Sequence, residues 1–293
     1  MSLAVCLIAD PHRAPLETGP AACAGRALRA APRWLAEAEA CDFEVAGGDP
    51  AELAARVRAE LGPAPLDVAV VETRARVKRL LVSDMDSTII TVECIDELAD
   101  RVGIKAEVAA ITRRAMNGEL DFGAALRHRV ALLEGLPVEV LSEVYHERVR
   151  LMPGATALVR TMRARGALTA LVSGGFIEFV ERVRDDVGFD LAEANRLETR
   201  GGRLTGRVLE PIRDAGGKLA MLRELTRSHG LRAEETLAVG DGANDLLMLA
   251  AAGLGVAFRA HPRVARTTRV AINAGDLTAL LYLQGIPKDA FVV

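Results

Sequence analysis

The sequence lacks the features expected of a membrane protein, a secreted protein or a nucleic-acid-binding protein. No stretch approaches the roughly 18 to 20 uninterrupted apolar residues that a membrane helix requires. The opening residues, MSLAVCLIADPHRAPL, do not resemble a signal peptide. The formal net charge is only -3 and the sequence pI is about 6.0, so we expect neither nucleic acid nor an anionic membrane as a partner. These observations predict a soluble, cytoplasmic protein.

The chain is also poor in cysteine, and its cysteines are widely spaced. Cys6, Cys23, Cys41 and Cys94 form no CxxC pair, so neither a zinc site nor a disulfide framework is indicated. We expect reduced, structural thiols. Half of the 293 residues are hydrophobic, which suffices for one large core or two domains.

Residues 1–75 read as a small α+β module. LAVCLIA (3–9) and LDVAVVE (66–72) have the character of strands, and PAELAARVRAELG (50–62) has helical apolar spacing with a glycine at its end. A module of this size suggests a regulatory or oligomerising role, and the chain is compatible with a homodimer.

From residue 76 to residue 293 the pattern predicts a doubly wound α/β fold with a mainly parallel sheet. Short aliphatic runs recur with helical segments between most of them, at 79–83, 167–172, 236–239, 254–258 and 269–272. Continuous apolar runs are typical of parallel strands covered by helices on both faces. Ligands of such sheets bind outside the carboxyl ends of the strands, so the residues after each run are the candidate site.

Two segments interrupt this alternation. About 80 residues separate the first two runs, where a crossover needs only about a dozen, so we expect a helical cap inserted at about 90–166 that lies over the end of the first strand. The segment NRLETRGGRLTGRVL (195–209) has a Gly-Gly pair between two alternating stretches and predicts a β-hairpin.

Four polar stretches lie at or near the ends of the predicted strands and form the candidate site. They are Asp84-Met-Asp86-Ser87-Thr88, Ser173-Gly174-Gly175, Lys218 and Gly240-Asp241-Gly242-Ala243-Asn244-Asp245. Each taken alone is ordinary, since aspartate and serine cap helices, glycine forms turns and a lysine is usually solvated. Their occurrence in one order along matching strand ends favours a shared function.

The residue types in these stretches point to phosphate chemistry. Asp84 and Asp86 are two residues apart and would lean to the same side of an extended chain, and Asp241 and Asp245 would join them from another strand. Close carboxylates repel by roughly 4 kcal/mol per pair at 4 Å and an effective dielectric of 20. A divalent cation relieves this repulsion, and oxygen-only ligands favour Mg²⁺.

An anionic substrate fits the remaining groups. Ser173 offers a hydroxyl group, Lys218 offers a positive charge, and the amides of Gly174 and Gly175 are expected at the start of the helix FIEFVERVRDD, where N–H groups attract anions. One aspartate could attack phosphorus, and a second could protonate the departing alkoxide and then activate water.

These motifs resemble those of the phosphoserine phosphatases of the haloacid dehalogenase-like superfamily. The resemblance extends from about residue 79 to residue 285, roughly 70% of the chain, and it implies a Rossmann-like core and a Mg²⁺-dependent reaction. It implies that Asp84 is the nucleophile and Asp86 the general acid and base. By the same resemblance Mg²⁺ is held by the Asp84 carboxylate, the Asp86 main-chain carbonyl and Asp241, with Asp245 acting through water. The phosphate group would be held by Ser173, Gly174, Lys218 and Asn244.

The inserted cap carries the residues that bear on the substrate. DFGAALRHRVALLEGLP (121–137) predicts a helix with Asp121 as N-cap and an apolar stripe beside which Arg129 emerges. Arg129 could grip a carboxylate, or its stem could merely pack while the guanidinium reaches solvent. Glu93 could receive an ammonium group, or it could be a carboxylate at a helix start. The resemblance implies that Glu93 and Arg129 bind the amino and carboxylate groups of a phosphoamino acid, with Met116 and Phe122 closing over it.

The expected activity is therefore hydrolysis of O-phospho-L-serine to L-serine and phosphate through an aspartyl-phosphate, the final step of serine biosynthesis. A phosphatase or phosphotransferase for another small phosphate ester, such as phosphohomoserine, is the nearest alternative. A signalling module that stores phosphate on an aspartate is a second, although Asp86 would shorten the life of the phosphoaspartate. A dinucleotide-binding site is a third alternative, which the sequence disfavours because GDGAND is not GxGxxG. Some longer members of the family carry a ferredoxin-like module that senses amino acids, to which residues 1–75 bear a loose resemblance, so regulation by serine is an expectation without residues attached.

Overall fold

The computed structural model describes residues 2–293. Its first part is a four-stranded antiparallel sheet in the order β2-β3-β1-β4, the arrangement of a ferredoxin-like βαββαβ unit. The elements of this part are β1 Leu3–Ile8, α1 Thr18–Leu28, β2 Arg33–Ala36, β3 Ala40–Val45, α2 Pro50–Leu61 and β4 Asp67–Glu72.

Both faces of the N-terminal sheet are buried, which explains the unbroken apolar character of β1. Alternate side chains point to opposite faces of a strand. Leu3, Val5 and Leu7 pack with α1 and α2, whereas Ala4, Cys6 and Ile8 belong to the large core of the rest of the chain. The N-terminal sheet is therefore packed against the remainder of the protein through one full face.

Polar contacts of two residues, Asp67 and Arg76, join this sheet to the C-terminal part of the chain. The buried carboxylate of Asp67 accepts hydrogen bonds from the backbone N–H groups of residues 273, 274 and 275 at 2.8–2.9 Å. Arg76 forms an ion pair with Asp42 at 2.6 Å and donates to the carbonyl oxygen of Leu283 at 2.8 Å. These contacts fix the N-terminal sheet to the segment that follows the last strand.

The second part of the chain contains a six-stranded parallel sheet in the order β12-β11-β10-β5-β6-β7. Its strands are β5 Leu80–Ser83, β6 Leu168–Phe176, β7 Leu191–Asn195, β10 Thr236–Gly240, β11 Leu254–Phe258 and β12 Val270–Ile272. The helices that cover this sheet are α7 Ala155–Ala164, α8 Ile177–Val187, α9 Ala215–Ser228, α10 Leu246–Ala251, α11 Pro262–Thr267 and α12 Ala279–Leu283.

Helices cover both faces of the parallel sheet. Leu81 of the central strand packs into the core that contains α7 and α8, while its neighbours Leu80 and Val82 pack against α9, α10 and α11. This arrangement confirms the predicted doubly wound, mainly parallel α/β fold. None of the helices within residues 2–293 is long and apolar enough to cross a membrane.

Four helices form a cap between β5 and α7: α3 Cys94–Asp100, α4 Lys105–Met116, α5 Phe122–Ala131 and α6 Glu139–Arg148. The chain enters and leaves this cap through adjacent segments, because Thr91 donates to the carbonyl oxygen of Arg150 and Met152 donates to that of Ile89. Helix α5 ends six residues before the end of the predicted helix 121–137. The reason is that residues after Ala131 turn to pair with a hairpin.

That hairpin is the one predicted from the Gly-Gly pair, and it consists of β8 Leu197–Arg200 and β9 Arg203–Val208. Gly201 and Gly202 both have positive φ angles at the turn, 58° and 74°. The hairpin exchanges backbone hydrogen bonds with the segment after α5, since Gly135 donates to Leu204 and Leu204 donates to Leu136. The hairpin therefore supports one edge of the cap.

Candidate active site

The three central strands bring the candidate residues together. Asp84 directly follows β5, Asp241 directly follows β10, and Ser173 lies near the end of β6. These strands are neighbours in the sheet, so their carboxyl ends form one edge beneath the cap. The order of the strands therefore explains why these side chains lie close together.

A single cavity between the sheet edge and the cap is lined by ten of the twelve residues to which the family resemblance gives a role. Its lining residues are Asp84, Asp86, Glu93, Ile95, Met116, Phe122, Leu126, Arg129, Ser173, Gly174, Gly175, Phe176, Asp241 and Asn244. The other two candidates, Lys218 and Asp245, are fully buried and do not line the cavity. Lys218 forms ion pairs with both Asp84 and Asp245.

Lys218 joins two carboxylates in the floor of the site. Its Nζ atom lies 2.7 Å from Asp84 Oδ2 and 2.7 Å from Asp245 Oδ1. Burial alone would lower the pKa of Lys218, but the carboxylates of Asp245 and Asp84 outweigh burial and raise that pKa above its ordinary value. Lys218 is therefore held as a cation, and it fixes one oxygen of Asp84. The other oxygen of Asp84 accepts from the Met85 N–H group at 2.7 Å.

Asp86 lies beside Asp84 with both of its oxygens engaged. Oδ1 accepts from the Cys94 N–H group at 2.9 Å, and Oδ2 accepts from Ser173 Oγ at 3.2 Å. Desolvation under the cap, together with the charge of Asp84, raises the pKa of Asp86 to about 6. Its carboxyl group can therefore gain and lose a proton near neutral pH, which general acid and base catalysis requires.

The turn after Asp86 orients two further groups. Ser87 has a positive φ of 55°, which bends the chain sharply at the end of the motif. Ser87 Oγ donates to Glu93 Oε1 at 2.7 Å, and Thr88 Oγ1 donates to Asp241 Oδ1 at 3.1 Å. Both hydroxyl residues of the motif thus hold a carboxylate of the site in place.

The acidic residues of the site fit a divalent metal ion. One carboxylate oxygen from each of Asp84, Asp241 and Asp245 lies within 4.8 Å of the others. Burial, together with the neighbouring carboxylates, raises the pKa of Asp241 well above its ordinary value and that of Asp245 to about 7. A cation would relieve this cost of charging, and a donor set made only of oxygens suits a hard divalent ion.

The structure corrects the expected surroundings of Gly174 and Gly175. Strand β6 continues through both glycines to Phe176, and α8 begins only at Ile177, so the two amides do not lie in the first turn of that helix. The Gly175 N–H group instead donates to Ser173 Oγ at 2.8 Å. Because Ser173 Oγ accepts this bond and donates to Asp86, its orientation is set from both sides.

The cap closes the site tightly from above. Asp121 caps α5 by accepting from the Ala124 N–H group at 2.7 Å, which places Phe122 at the first position of the helix and over Gly174. A Cβ atom at residue 174 would lie 2.5 Å from Cζ of Phe122, so glycine is required there by contact with the ring. The cavity left beneath the cap measures about 20 Å³. A cavity that small holds little more than a water molecule, so a substrate must enter with the cap open.

The cap also supplies one acidic and one basic side chain to the cavity wall. Glu93 is the N-cap residue of α3, yet its carboxylate bonds Ser87 and makes no capping hydrogen bond. Burial, followed by repulsion from Asp86, raises the pKa of Glu93 to about 8. Arg129 is only 2% exposed, so the alternative in which its guanidinium reaches solvent is wrong. Burial lowers the pKa of Arg129, although nearby Glu93 acts to raise it.

Four lining residues are not among the twelve to which the family resemblance gives a role: Ile95, Leu126, Gly175 and Phe176. Leu126 belongs to the apolar stripe noted in the sequence, and Gly175 belongs to the Ser-Gly-Gly stretch. Ile95 and Phe176 carry no chemical signal, because an apolar side chain that lines a cavity cannot be told from a core residue by its type.

Comparison with known proteins shows which family the chain resembles. Residues 81–250 match the haloacid dehalogenase-like hydrolase family. The phosphoserine phosphatase of Polaromonas is 47% identical over 223 residues, covering 74% of this chain and 94% of the relative. The phosphoserine phosphatase of Streptomyces coelicolor is 44% identical over 252 residues, covering 85% of this chain. The match spans only 61% of the length of the Streptomyces protein.

Solved structures show the same relationship. A HAD family hydrolase from Salmonella enterica serovar Typhi superposes with a TM-score of 0.84 at 29% identity, covering 96% of this chain and 98% of its own. A phospho-aspartyl intermediate analogue of phosphoserine phosphatase superposes with a TM-score of 0.67 at 38% identity, covering 70% of this chain and 98% of its own. The chain therefore belongs to the haloacid dehalogenase-like hydrolases and, within them, to the family of the phosphoserine phosphatases.

Proposed function

We propose that the chain hydrolyses O-phospho-L-serine to L-serine and phosphate through an aspartyl-phosphate on Asp84, the final step of serine biosynthesis. The observation that carries the proposal is that one cavity is lined both by Glu93 and Arg129 and by the pair Asp84 and Asp86. A zwitterionic amino acid esterified with phosphate has a charged group for each of these side chains. The likeness to curated phosphoserine phosphatases over most of the chain supports the same reading.

In the first step, a carboxylate oxygen of Asp84 attacks phosphorus and the bond from phosphorus to the serine oxygen breaks. Lys218 Nζ lies 2.7 Å from Asp84 Oδ2 and holds the attacking carboxylate in place. Asp86, with its pKa raised to about 6, gives its proton to the departing serine oxygen. Serine leaves as a neutral alcohol.

In the second step, Asp86 is a carboxylate and accepts a proton from the water that attacks the aspartyl-phosphate. Phosphate is released and Asp84 is restored. The hydrogen bonds from Cys94 N–H and Ser173 Oγ fix the position of Asp86 in both steps. A chain without a carboxyl group at residue 86 would hold the phosphoaspartate for longer, which is why this site fits a phosphatase better than a signalling module.

We further propose Mg²⁺ as the metal, held by the Asp84 carboxylate, the Asp86 main-chain carbonyl and Asp241. Asp245 would contribute through water, because its two oxygens already accept from Lys218 Nζ and the Gly242 N–H group. When bound, the ion neutralises the charge that gathers on the transferring phosphoryl group. Ser173, Gly174 and Asn244 would complete the phosphate site.

The cytoplasm is the proposed location. All four cysteines are free thiols in the structure, which is typical of a reducing compartment. Residues 1–75 are proposed as a separate module with a regulatory or oligomerising role.

The test of the proposed activity is a phosphate-release assay on purified protein with a panel of esters, namely phosphoserine, phosphohomoserine and sugar phosphates, each with and without Mg²⁺. We expect the highest kcat/KM with phosphoserine and no turnover after chelation. Arg129→Ala should raise KM for phosphoserine far more than KM for the sugar phosphates. An equal rise for both classes would contradict the carboxylate role of Arg129.

A further inference from the structure

A chain of three polar side chains runs through the cap behind the cavity wall. Arg129 Nη1 donates to Thr112 Oγ1 at 2.9 Å, and Thr112 Oγ1 donates to Asp96 Oδ1 at 2.6 Å. The three residues lie on three different cap helices, α5, α4 and α3. Thr112 is 3% exposed and Asp96 9% exposed. Arg129 lines the cavity, whereas Thr112 and Asp96 do not.

The hydroxyl proton of Thr112 has two acceptors to choose from. Oγ1 lies 2.6 Å from the Asp96 carboxylate and 3.1 Å from the Val108 carbonyl oxygen. The shorter contact to the charged acceptor is the stronger hydrogen bond. Once that proton points to Asp96, the lone pairs of Oγ1 are left for the Arg129 N–H group, so Asp96 sets the direction in which Thr112 can accept.

This arrangement fixes the guanidinium of Arg129 before any ligand arrives. Nε donates to the Ala125 carbonyl oxygen at 3.2 Å and Nη1 donates to Thr112, which engages two of the five N–H groups that an arginine carries. The remaining N–H groups are available to the cavity. Long side chains lose up to about 2 kcal/mol of rotamer entropy when they are ordered, and a guanidinium already held in place avoids part of that loss upon binding.

We propose that Thr112, oriented by Asp96, is a positioning residue that sets the preference of the enzyme for substrates that carry a carboxylate. It acts through Arg129 and touches neither the substrate nor the reacting atoms. The proposal rests on the proposed function, in which Arg129 binds the carboxylate of phosphoserine. Loss of this positioning should weaken the binding only of substrates that carry a carboxylate, because an ester without one does not contact the oriented guanidinium.

The experiment compares two substrates in matched variants. Phosphoserine carries a phosphate, an ammonium and a carboxylate, whereas phosphoethanolamine carries only the first two. Thr112→Val keeps the shape of the side chain and removes the hydroxyl group. We expect it to raise KM for phosphoserine about tenfold, equivalent to about 1.4 kcal/mol, while kcat/KM for phosphoethanolamine stays unchanged. Thr112→Ser keeps the hydroxyl group and should restore the wild-type ratio of the two substrates.

A double-mutant cycle tests whether Thr112 acts through Arg129. In the Arg129→Ala background, Thr112→Val should add no further loss with phosphoserine, because the group that it positions is gone. Additive losses in the two backgrounds would overturn the proposal. So would an equal loss of kcat/KM with both substrates, or a lower Tm with an unchanged substrate ratio, since either result would mean that Thr112 only stabilises the cap.

Failure of the proposed function would look different. In that case the wild-type protein itself would show no advantage for phosphoserine over phosphoethanolamine, and Arg129→Ala would leave the ratio of the two substrates unchanged. If the wild-type protein prefers phosphoserine and Arg129→Ala removes the preference, the proposed function stands. The Thr112 variants then decide the positioning role alone.

Discussion

The contact between Gly174 and Phe122 gives the most sharply defined perturbation of cap closure. Gly174 does not have a positive φ angle, so alanine is compatible with its backbone. A Cβ atom at this position would nonetheless meet Cζ, Cε2 and Cε1 of Phe122 at 2.5, 3.2 and 3.4 Å. Ordinary carbon contacts are about 3.5–4.0 Å, so the nearest overlap is about 1 Å. Gly174→Ala should therefore disfavour the closed cap and leave the fold of the sheet intact.

The expected magnitude follows from the cost of overpacking. Inserting a methyl group into a filled space costs about 1–3 kcal/mol, and if this cost falls on the closed state it lowers the population of that state about 5- to 150-fold. We expect kcat/KM for phosphoserine to fall by a factor in that range. Gly19→Ala is the matched control, because a Cβ atom there meets nothing within 4 Å, and it should have wild-type activity.

A second substitution separates the clash from a direct role of Gly174 in binding phosphate. Phe122→Leu removes the ring atoms that meet the new methyl group. Alone, it should lower kcat/KM, because the ring closes over the site. In the Gly174→Ala background it should raise kcat/KM, which is a change of sign that only a shared contact produces. Wild-type activity of Gly174→Ala, or a double variant no better than Gly174→Ala alone, would refute the closure mechanism.

Three further predictions concern the charges of the protein. Lys218→Met should abolish measurable turnover and lower the free energy of unfolding by about 3–5 kcal/mol, since it leaves two buried carboxylates without their cation; wild-type denaturation with urea would contradict this. Mg²⁺ at about 100 times its Kd should stabilise the wild-type protein by about 2.7 kcal/mol, seen as a higher Tm, and Asp241→Asn should lose most of that rise; an equal rise in both would mean that the ion binds elsewhere. Burial acts to raise the pKa of Asp42, but the ion pairs with Arg33 and Arg76 outweigh burial and lower that pKa. These ion pairs therefore contribute their full free energy of folding above the unfolded pKa of about 3.9. That contribution is lost as the pH falls through the folded pKa. Asp42→Asn should accordingly cost a constant free energy of unfolding at pH 6–8 and progressively less below about pH 4, and a difference that grows toward acid would show that the sign is wrong.

The parts of the fold that follow local rules were predictable from the sequence. The aliphatic runs of the parallel sheet were found because strands buried on both faces are continuously apolar, and the hairpin at 197–208 was found from its two glycines. Strands β2 and β3 were not predicted. Segment 33–45 contains two turn glutamates and Asp42, a charged residue at 0% exposure, and only Arg33 and Arg76 make its burial tolerable.

The candidate site was likewise predictable only in part. The convergence of the acidic motifs and Ser173 could be predicted because parallel strands must end at a common edge, whereas Lys218 reaches the site from helix α9. The orientation of these groups could not, since it depends on contacts between distant segments: Ser173 bonds Asp86 across 87 positions, and Thr88 bonds Asp241 across 153. The expected position of the Gly174 and Gly175 amides at a helix start was wrong for a local reason, because β6 extends past both glycines before α8 begins.

The central claim is that Asp84 carries the phosphoryl group during turnover. The most direct measurement is to mix the protein with Mg²⁺ and phosphoserine labelled in its phosphate, quench with acid within one turnover, and map the label by peptide mass spectrometry. We predict the label on the peptide that contains Asp84, and neither label nor phosphate release in Asp84→Asn, with the variant still folded by circular dichroism. Label on another residue, or phosphate release by Asp84→Asn at a rate near that of the wild type, would contradict the account.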